Sequence, residues 1–329
     1  MKKIYISILF VSLSFTQWFS INHQGISRAY YISYPEGNSA PAALIINMHG
    51  YGGSAQQQQA YTQMDQIAHS QNIAVVYPQG LNYSWNVFTY WDGNPYDDVG
   101  FISSMIDDIS GNFDINLDKV YACGMSNGGY MAYRLACDLS DKIAAFGSVT
   151  GNFMLDSDLN DCLDQEREIP IIHFHGTADG VVNYYPPSFD NALTVGESAE
   201  FWKDYNNLDN EDIYDLNSNV EIIEYQSSST TTKFVHYKVY GGGHEWFGNS
   251  WGFNTSQELI NFFSFYDLSD FLNTQLQGDL NEDGLINIQD VILIVNLILN
   301  NEYSSLADLN LDNSIDVLDI VYLVNIILS

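Results

Sequence analysis

Basic residues are scarce in this chain of 329 residues. Only 10 lysine and arginine residues stand against 41 aspartate and glutamate residues, which gives a formal net charge of −31. Proteins bind nucleic acids largely through lysine and arginine that neutralise phosphates, so this balance argues against a nucleic acid as partner. Acidity of this strength is typical of a soluble protein in a salty or extracellular medium, where bound calcium would offset part of the charge.

Long apolar segments are missing beyond the N-terminus. There, Lys2 and Lys3 precede an apolar run over residues 4–15, which is too short to span a bilayer and ends near small residues suited to cleavage. We expect a secretory signal peptide over residues 1–16, with an uncleaved anchor as the alternative. The chain would then be secreted or extracellular, at a cell surface or in a multi-enzyme complex, with no membrane partner after signal removal.

Cysteine is also sparse, with three residues in the chain. An exported protein can oxidise its cysteines, and the odd number leaves one thiol unpaired. Cys123 falls in a predicted strand, where a buried thiol packs as a small apolar side chain. We therefore expect a disulfide between Cys137 and Cys162, with three unpaired thiols as the alternative.

Strand-like and helix-like segments alternate over residues 26–263. A helix is expected over residues 55–70, a second one with Asp98 as N-cap and Gly111 as stop, and a last one opened by a capping box of Thr255 and Glu258. Short apolar runs that end in turn residues predict buried parallel strands: AALIINMHG, IAVVYPQG, KVYACG, AAFGSV, PIIHFHG and KFVHYKVYGGG. RAYYISYP predicts an earlier strand. The alternation predicts an α/β fold, with a mostly parallel sheet and helices on both faces.

One serine lies between glycines in an otherwise apolar stretch. Residues 124–128, Gly-Met-Ser-Asn-Gly, fit the G-x-S-x-G pattern directly after a predicted strand and directly before a predicted helix. Such a turn exposes the Ser126 hydroxyl and aims the backbone N–H of Asn127 at the same point. The context favours a nucleophile over the alternative, a tight structural turn.

A nucleophilic serine needs a base, and the base needs an acid that orients it. Asp179 follows the strand-like PIIHFHG, and His244 follows a later strand and three glycines. Both fall at strand ends, where open α/β sheets gather their catalytic groups. Of the other histidines, His175 is expected to support the Asp179 loop, and His236 to be a packed side chain.

The segment MHGYGGS follows another strand and offers flexible backbone N–H groups. We expect the Tyr51 N–H to complete an oxyanion hole beside the Asn127 N–H, in a loop shaped by His49 and Gly50. Aromatic residues in the predicted mouth loops could stack on a sugar or a feruloyl group, with ordinary packing as the alternative for each of them. The three candidates are Trp85, Trp91 and Trp246.

Five separated motifs stand out in this order along the chain: HGYGGS, WDGNPYDDVGFISSMIDDI, VYACGMSNGGYMAYRLAC, HFHGTADGVVNY and GGGHEWFG. They resemble those of an extracellular esterase family that contains polyhydroxybutyrate depolymerase-like proteins and feruloyl and acetylxylan esterases. The resemblance covers roughly residues 24–263 and implies an α/β-hydrolase fold with Ser126 as nucleophile, Asp179 as acid and His244 as base. Gly180 departs from it, because the family often has proline after the aspartate.

A repeat fills the C-terminal segment, which lacks lysine and arginine. Its copies begin at Asp279 and Asp308, DLNEDGLINIQDVILIVNLIL and DLNLDNSIDVLDIVYLVNIIL. Each copy supplies oxygen ligands at the spacing of a calcium loop. The expected ligands are Asp279, Asn281, Asp283, Leu285 (carbonyl), Asn287 and Asp290 at one site, and Asp308, Asn310, Asp312, Ser314 (carbonyl), Asp316 and Asp319 at the other. The alternative is a pair of solvated acidic turns.

The repeat resembles a type I dockerin, which implies two bound Ca²⁺ ions and a cohesin-like module as partner. The residues just before each position twelve, Ile288-Gln289 and Val317-Leu318, are unusually apolar for a free surface and could contact a cohesin or pack against the larger domain. The predicted organisation is a signal peptide (1–16), an α/β-hydrolase domain (24–267), a short linker (268–277) and a dockerin-like domain (278–329). Catalysis itself needs no cofactor in this scheme.

Together these features predict a secreted serine esterase that hydrolyses carboxylic esters, feruloyl or acetyl esters on plant or algal polysaccharide, and is anchored through a dockerin. An extracellular polyhydroxyalkanoate or polyester depolymerase is the first alternative. The second is a non-catalytic, dockerin-bearing component of a scaffold.

Overall fold

The computed structural model describes residues 14–35, 37, 40–87, 94–154, 167–188, 192–272, 277–281, 285–300, 302–310, 312 and 314–328. The chain divides into two compact units, Met1–Leu268 and Ser269–Ser329. Among the described residues, no helix has both the length and the apolar character needed to cross a bilayer.

A ten-stranded sheet forms the centre of the first unit. Its strands are β1 (Ser14–His23), β2 (Ile26–Pro35), β3 (Ala42–Met48), β4 (Ile73–Pro78), β5 (Ile115–Met125), β6 (Ala145–Val149), β7 (Ile171–Gly176), β8 (Asn210–Asn217), β9 (Val220–Gln226) and β10 (Lys233–Val239). The order across the sheet is β1-β2-β4-β3-β5-β6-β7-β10-β9-β8. All neighbours from β4 to β10 pair in parallel, and the outer strands pair antiparallel.

Helices cover both faces of this sheet. In the first unit they are α1 (Ala55–Thr62), α2 (Met64–His69), α3 (Asp98–Asn112), α4 (Asn127–Asp138), α5 (Val195–Tyr205) and α6 (Thr255–Phe263). Consecutive strand residues point to opposite faces. On β6, a side chain at Gly147 would meet Leu259 of α6, whereas Ser148 lies against Gly129 of α4. The predicted α/β fold with a mostly parallel sheet and helices on both faces is therefore confirmed for this unit.

Three of the antiparallel outer strands, β1, β8 and β9, were not predicted, whereas β2 confirms the strand expected at RAYYISYP. β1 begins at Ser14, inside the predicted signal segment, and the predicted start of the domain at residue 24 falls in the turn between β1 and β2. At the other edge, the β8–β9 hairpin escaped detection because nearly every side chain of β8 is exposed. An exposed edge strand lacks the apolar pattern that identifies a buried one.

Two of the predicted helix starts are wrong by one residue. The N-cap of α3 is Asp97, whose carboxylate accepts the Gly100 N–H at 2.8 Å, while Asp98 is buried and pairs with Arg28 at 2.5 Å. Because the Asp98 carboxylate pairs with the buried Arg28 guanidinium, it does not cap the helix.

The last helix of the first unit, α6, also begins differently. Its N-cap is Asn254, whose side chain accepts the Gln257 N–H, so the expected capping box of Thr255 and Glu258 is wrong. In addition, the single helix expected over residues 55–70 is broken at Gln63, which adopts a left-handed φ of 48° between α1 and α2.

The second unit contains α7 (Ser269–Leu272), α8 (Ile288–Asn300) and α9 (Val317–Leu328). Its small core centres on Ile294, Ala307 and Leu323. The described residues of the loop before each long helix make the same hydrogen bonds: Asp290 accepts the backbone N–H groups of residues 280, 281 and 287, and Asp319 those of residues 309, 310 and 316. The sequence repeat is thus also a structural repeat.

The cysteines differ in state. Cys123 is a buried free thiol in β5, as its apolar strand predicts. Cys137 on α4 is disulfide-bonded, and Cys162, its expected partner, lies outside the described residues.

Candidate active site

Ser126 occupies the turn between β5 and α4. Its φ of 55° and ψ of −121° lie in a region that serine rarely adopts, so the backbone is strained there. The Ser126 N–H donates to the Val149 carbonyl of β6 at 2.8 Å, and the Ser126 carbonyl accepts the Tyr130 N–H at 2.9 Å. These bonds fix the strained turn at the end of the strand, as the G-x-S-x-G pattern predicts.

The flanking glycines are required by close backbone approach. A Cβ on Gly128 would lie 2.3 Å from the Met48 carbonyl oxygen of β3, and one on Gly124 would lie 2.4 Å from the Gly128 carbonyl oxygen. Any side chain at either position would force the neighbouring backbone to move. Glycine at both positions therefore lets β3, β5 and α4 meet directly beside the serine.

Asp179 and His244 come together from neighbouring strands. The Asp179 loop follows β7 and the His244 loop follows β10, and His244 Nδ1 lies 2.8 Å from Asp179 Oδ2. The other carboxylate oxygen accepts the N–H groups of Val181 at 2.8 Å and Val182 at 2.9 Å. The Asp179 carboxylate is fully buried, whereas 18% of the His244 side chain is exposed.

The electrostatics suit an acid that stays ionised. Burial alone would raise the pKa of Asp179, but the hydrogen bonds from His244 and from the two backbone amides outweigh burial and hold the pKa below its ordinary value. An ionised Asp179 accepts the Nδ1–H of His244. The Nε2 lone pair of His244 is then available to take a proton.

The loop that follows β3 lies against the serine. A Cβ on Gly50 would be 3.3 Å from the Ser126 Cβ, so the backbone beside Tyr51 passes close to the turn. His49 holds this loop: its Nδ1–H donates to the Gly50 carbonyl at 2.8 Å, and its Nε2 accepts the Gly80 N–H at 3.0 Å. This placement fits the expected role of the Tyr51 and Asn127 amides as oxyanion donors.

Two of the three predicted substrate-binding tryptophans, Trp85 and Trp246, are buried. Trp85 is fully buried, and its indole N–H donates to the His49 carbonyl. Its backbone N–H and carbonyl both form hydrogen bonds with the Asn127 side-chain amide. Trp246 is 8% exposed, and its indole N–H donates to Ser256. Both rings support the site from within instead of stacking on a substrate. Trp91 lies outside the described residues.

A cavity of about 300 Å³ lies next to the serine turn. Tyr51 and Tyr61 are exposed at 60% and 51%. The Tyr61 hydroxyl accepts the backbone N–H of Trp246 at 3.0 Å, so the Tyr61 ring lies close to the His244 loop. Sequence reasoning missed Tyr61, because it lies on a helix without a recognisable motif. The cavity is lined by His49, Gly50, Tyr51, Gly53, Ser54, Gln57, Gln58, Tyr61 and Met125.

The expected calcium ligands lie in the two similar loops of the second unit. Asp279, Asp290, Asp308 and Asp319 are buried. Asp283 lies outside the described residues. Among the described residues, no three acidic, histidine or cysteine side chains form a metal-binding group. The expected ligands at the intermediate loop positions are Asn281, Leu285, Asn287, Asn310, Asp312, Ser314 and Asp316, all within the described ranges.

Comparison with known proteins gives a family match over residues 34–187, to the phospholipase/carboxylesterase family. A bifunctional acetylxylan esterase/xylanase of Neocallimastix patriciarum is 26% identical over 226 residues, which are 67% of this chain and 31% of that protein. Feruloyl esterase B of Piromyces equi is 31% identical over 166 residues, which are 48% of this chain and 30% of that protein. The chain thus spans about a third of the length of these relatives.

Among solved structures, an acetyl xylan esterase from Aspergillus awamori superposes with a TM-score of 0.57 at 12% identity, over 76% of this chain and 99% of that one. At this identity the likeness concerns the fold, and it agrees with an α/β-hydrolase fold for the first unit. The family match and the esterase relatives support the prediction of a serine carboxylic ester hydrolase. The matched family region includes Ser126 and Asp179, and the geometry adds His244.

The buried histidines make the first unit sensitive to acid. Burial lowers the pKa of His49 and His175 to about 4 and that of His236 to about 3. A histidine that is neutral in the folded state and has a pKa of about 6.5 when unfolded contributes stability that is present above pH 6.5 and is lost as the pH falls toward 4. We expect the free energy of unfolding to drop by on the order of 1 kcal/mol per histidine between pH 7.5 and about 5.5.

Urea titration followed by tryptophan fluorescence measures this effect in the first unit alone, because all 6 tryptophans lie before residue 269. Equal free energies of unfolding at the two pH values would show that these histidines are protonated without cost in the folded protein.

Proposed function

We propose that the first unit is a secreted serine esterase that hydrolyses feruloyl or acetyl esters on polysaccharide. The observation that carries this proposal is the hydrogen bond between Asp179 and His244 at the same sheet edge as the strained serine turn. The acetylxylan and feruloyl esterase relatives support the polysaccharide ester as substrate class. The basic start and the apolar N-terminal run support secretion.

In the proposed mechanism, His244 Nε2 removes the Ser126 hydroxyl proton while the serine oxygen attacks the ester carbonyl carbon. The negative charge on the carbonyl oxygen is stabilised by the N–H groups of Tyr51 and Asn127, and Asn127 also begins α4, whose N-terminal dipole favours an anion. The protonated His244 then donates its proton to the leaving alcohol, which leaves an acyl-serine. Water repeats the sequence and releases the acid.

The cavity beside the serine favours an aromatic acyl group. Its volume of about 300 Å³ is at the lower end of the range for ligand pockets and far exceeds what an acetyl group fills. The exposed rings of Tyr51 and Tyr61 can stack on a planar phenolic group, whereas Gln57 and Ser54 offer polar partners for its substituents. We therefore rank the feruloyl ester above the acetyl ester.

Replacing the nucleophile tests the proposal most simply. The Ser126→Ala variant should lose at least about 10³-fold in turnover of p-nitrophenyl acetate, because the proposed acyl intermediate forms on the Ser126 oxygen. Equal rates for the wild type and the variant would overturn the serine mechanism. Rates no higher than the uncatalysed background in both proteins would favour the non-catalytic scaffold component.

Methyl ferulate, acetylated xylan and short polyhydroxybutyrate oligomers distinguish the acyl groups. We expect kcat/KM to be highest for methyl ferulate, and Tyr61→Ala to lower it about 3- to 10-fold through loss of ring stacking. The control is Tyr61→Phe, which keeps the ring and removes only the hydroxyl that accepts the Trp246 N–H. A preference for the polyester oligomers would favour the depolymerase alternative.

We further propose that the second unit is a calcium-dependent docking module. It contains no lysine, arginine or histidine, yet it buries four aspartate side chains at positions one and twelve of the two loops. Backbone N–H groups offset part of the cost of burying Asp290 and Asp319, but the unit has no basic side chain to neutralise its carboxylates. Carboxylate, amide and backbone oxygens are the donors that Ca²⁺ prefers. The donor chemistry therefore fits two Ca²⁺ ions, held by the residues of each repeat.

The proposed partner of this module is a cohesin-like protein module. Ile288, Val317 and Leu318, next to the loops, are more than half exposed. Exposed apolar residues grouped on helices are typical of interaction surfaces. The acidic character of the unit favours a partner surface that combines apolar and basic residues.

Chelation tests both proposals about the second unit. EGTA should lower the helical circular dichroism of the full chain and abolish binding to a purified cohesin module, because the loops would lose the cations that compensate their carboxylates. Esterase activity and tryptophan fluorescence, which report on the first unit, should not change. Circular dichroism that is the same with Ca²⁺ and with EGTA would count against calcium in the loops.

A further inference from the structure

A row of buried polar side chains lies behind the Asp179 loop, on the face of the sheet that carries α4. The Tyr133 hydroxyl is 2.6 Å from His173 Nδ1, His173 Nε2 is 3.0 Å from His175 Nδ1, and His175 Nε2 is 2.8 Å from the Val182 carbonyl oxygen. Both histidines are fully buried on β7. The mechanism proposed above uses neither of them.

The direction of every bond in this row follows from its last member. A backbone carbonyl only accepts, so His175 must carry its proton on Nε2, and its Nδ1 must be an acceptor. His173 therefore donates from Nε2 and accepts on Nδ1, where the Tyr133 hydroxyl donates. In this arrangement Tyr133, His173 and His175 are all neutral. Each of them donates to the next group along the row, from Tyr133 on α4 to the Val182 carbonyl in the Asp179 loop.

The Val182 peptide joins this row to the proposed triad. Its carbonyl accepts from His175, and its N–H donates to Asp179 Oδ1, while Asp179 Oδ2 accepts from His244. His175 Nε2 also lies 3.5 Å from Asp179 Oδ2. The N–H of His175 thus faces both the peptide that holds the carboxylate and the carboxylate itself.

We propose that His175 is a positioning residue for Asp179, and that the bonds from Tyr133 through His173 set the tautomer that this role requires. The opposite tautomer would point a nitrogen lone pair at the Val182 carbonyl and at the carboxylate, and would repel both. The inference rests on the proposed function in one respect, that Asp179 orients the catalytic base.

The surroundings keep His175 neutral. The titratable groups around it include His173 on its own strand, His236 on β10, Asp179 and His244 from the two loops, and Tyr184, whose ring stands edge-on at 5.7 Å. Burial, the largest cause, lowers the pKa of His175 to about 4 despite the nearby carboxylate. Protonation would also set two N–H groups of His173 and His175 against each other.

A matched histidine on the neighbouring strand supplies the control. His236 is also buried, accepts from the Tyr184 hydroxyl at 2.9 Å and donates to the His173 carbonyl at 3.2 Å. It has the same residue type, burial and kind of partner as His175. The Nδ1–H of His236, however, donates to a carbonyl within strand β7 and not to the Asp179 loop.

Three variants separate positioning from stability. Substitution His175→Leu should lower kcat about 100-fold with KM nearly unchanged, because a displaced carboxylate no longer orients His244. His175→Gln, whose amide can both accept from His173 and donate to Val182, should restore kcat to within about tenfold of the wild type. His236→Leu should lose stability but keep kcat.

The histidine tautomers are measured independently, by ¹⁵N NMR of the wild-type protein near pH 7. We expect His173 and His175 as neutral Nε2–H tautomers. Equal kcat values for His175→Leu and His236→Leu would overturn the inference. An Nδ1–H tautomer at His175 in the wild type would overturn it as well, and that measurement does not depend on the folding of any variant. If Ser126→Ala is inactive while these results go against His175, only the positioning role fails.

Discussion

The strained turn at Ser126 is the constraint on which the rest of the site depends. A positive φ at a serine is held only because β3, β5 and α4 meet at the glycines on either side, where no side chain fits. That close approach also places the loop after β3 against the serine, so the proposed oxyanion donors come from the same packing that strains the nucleophile. Trp85 supports this arrangement from within, because its indole N–H donates to the His49 carbonyl and its backbone N–H donates to the Asn127 side chain. The His49 ring in turn accepts the Gly80 N–H. The proposed nucleophile and the proposed oxyanion hole therefore depend on the same backbone packing.

The order of the strands in the sheet places Asp179 and His244 near the serine turn. β7 and β10 are parallel neighbours although β8 and β9 intervene in sequence, so the loops that follow them emerge at one edge, 65 residues apart along the chain. A buried carboxylate in that position would ordinarily be costly. Asp179 is compensated by two backbone amides and by His244, and the row of neutral histidines behind it fixes the Val182 peptide that supplies one of those amides.

Local patterns predicted much of this arrangement, and long-range contacts decided what they missed. The buried central strands, the serine turn and the strand ends at Asp179 and His244 follow from apolar runs and turn residues that are adjacent in sequence. The cap of α3 could not be assigned, because the choice between Asp97 and Asp98 depends on Arg28, 70 residues away. Trp85 and Trp246 were expected at the surface because their segments resemble loops, yet each indole N–H finds a buried acceptor. The exposed β8 carried no apolar pattern to detect.

The central claim is that one hydroxyl, on Ser126, is the activated nucleophile. Covalent labelling with a fluorophosphonate, followed by mass spectrometry of the digested protein, tests it directly, because such a reagent reacts with a serine only where a base and an oxyanion hole assist. The account predicts a single adduct, on the peptide that contains Ser126, and its loss when Asp179 or His244 is replaced. An active esterase preparation that is labelled at another residue, or that is not labelled at Ser126, would contradict it.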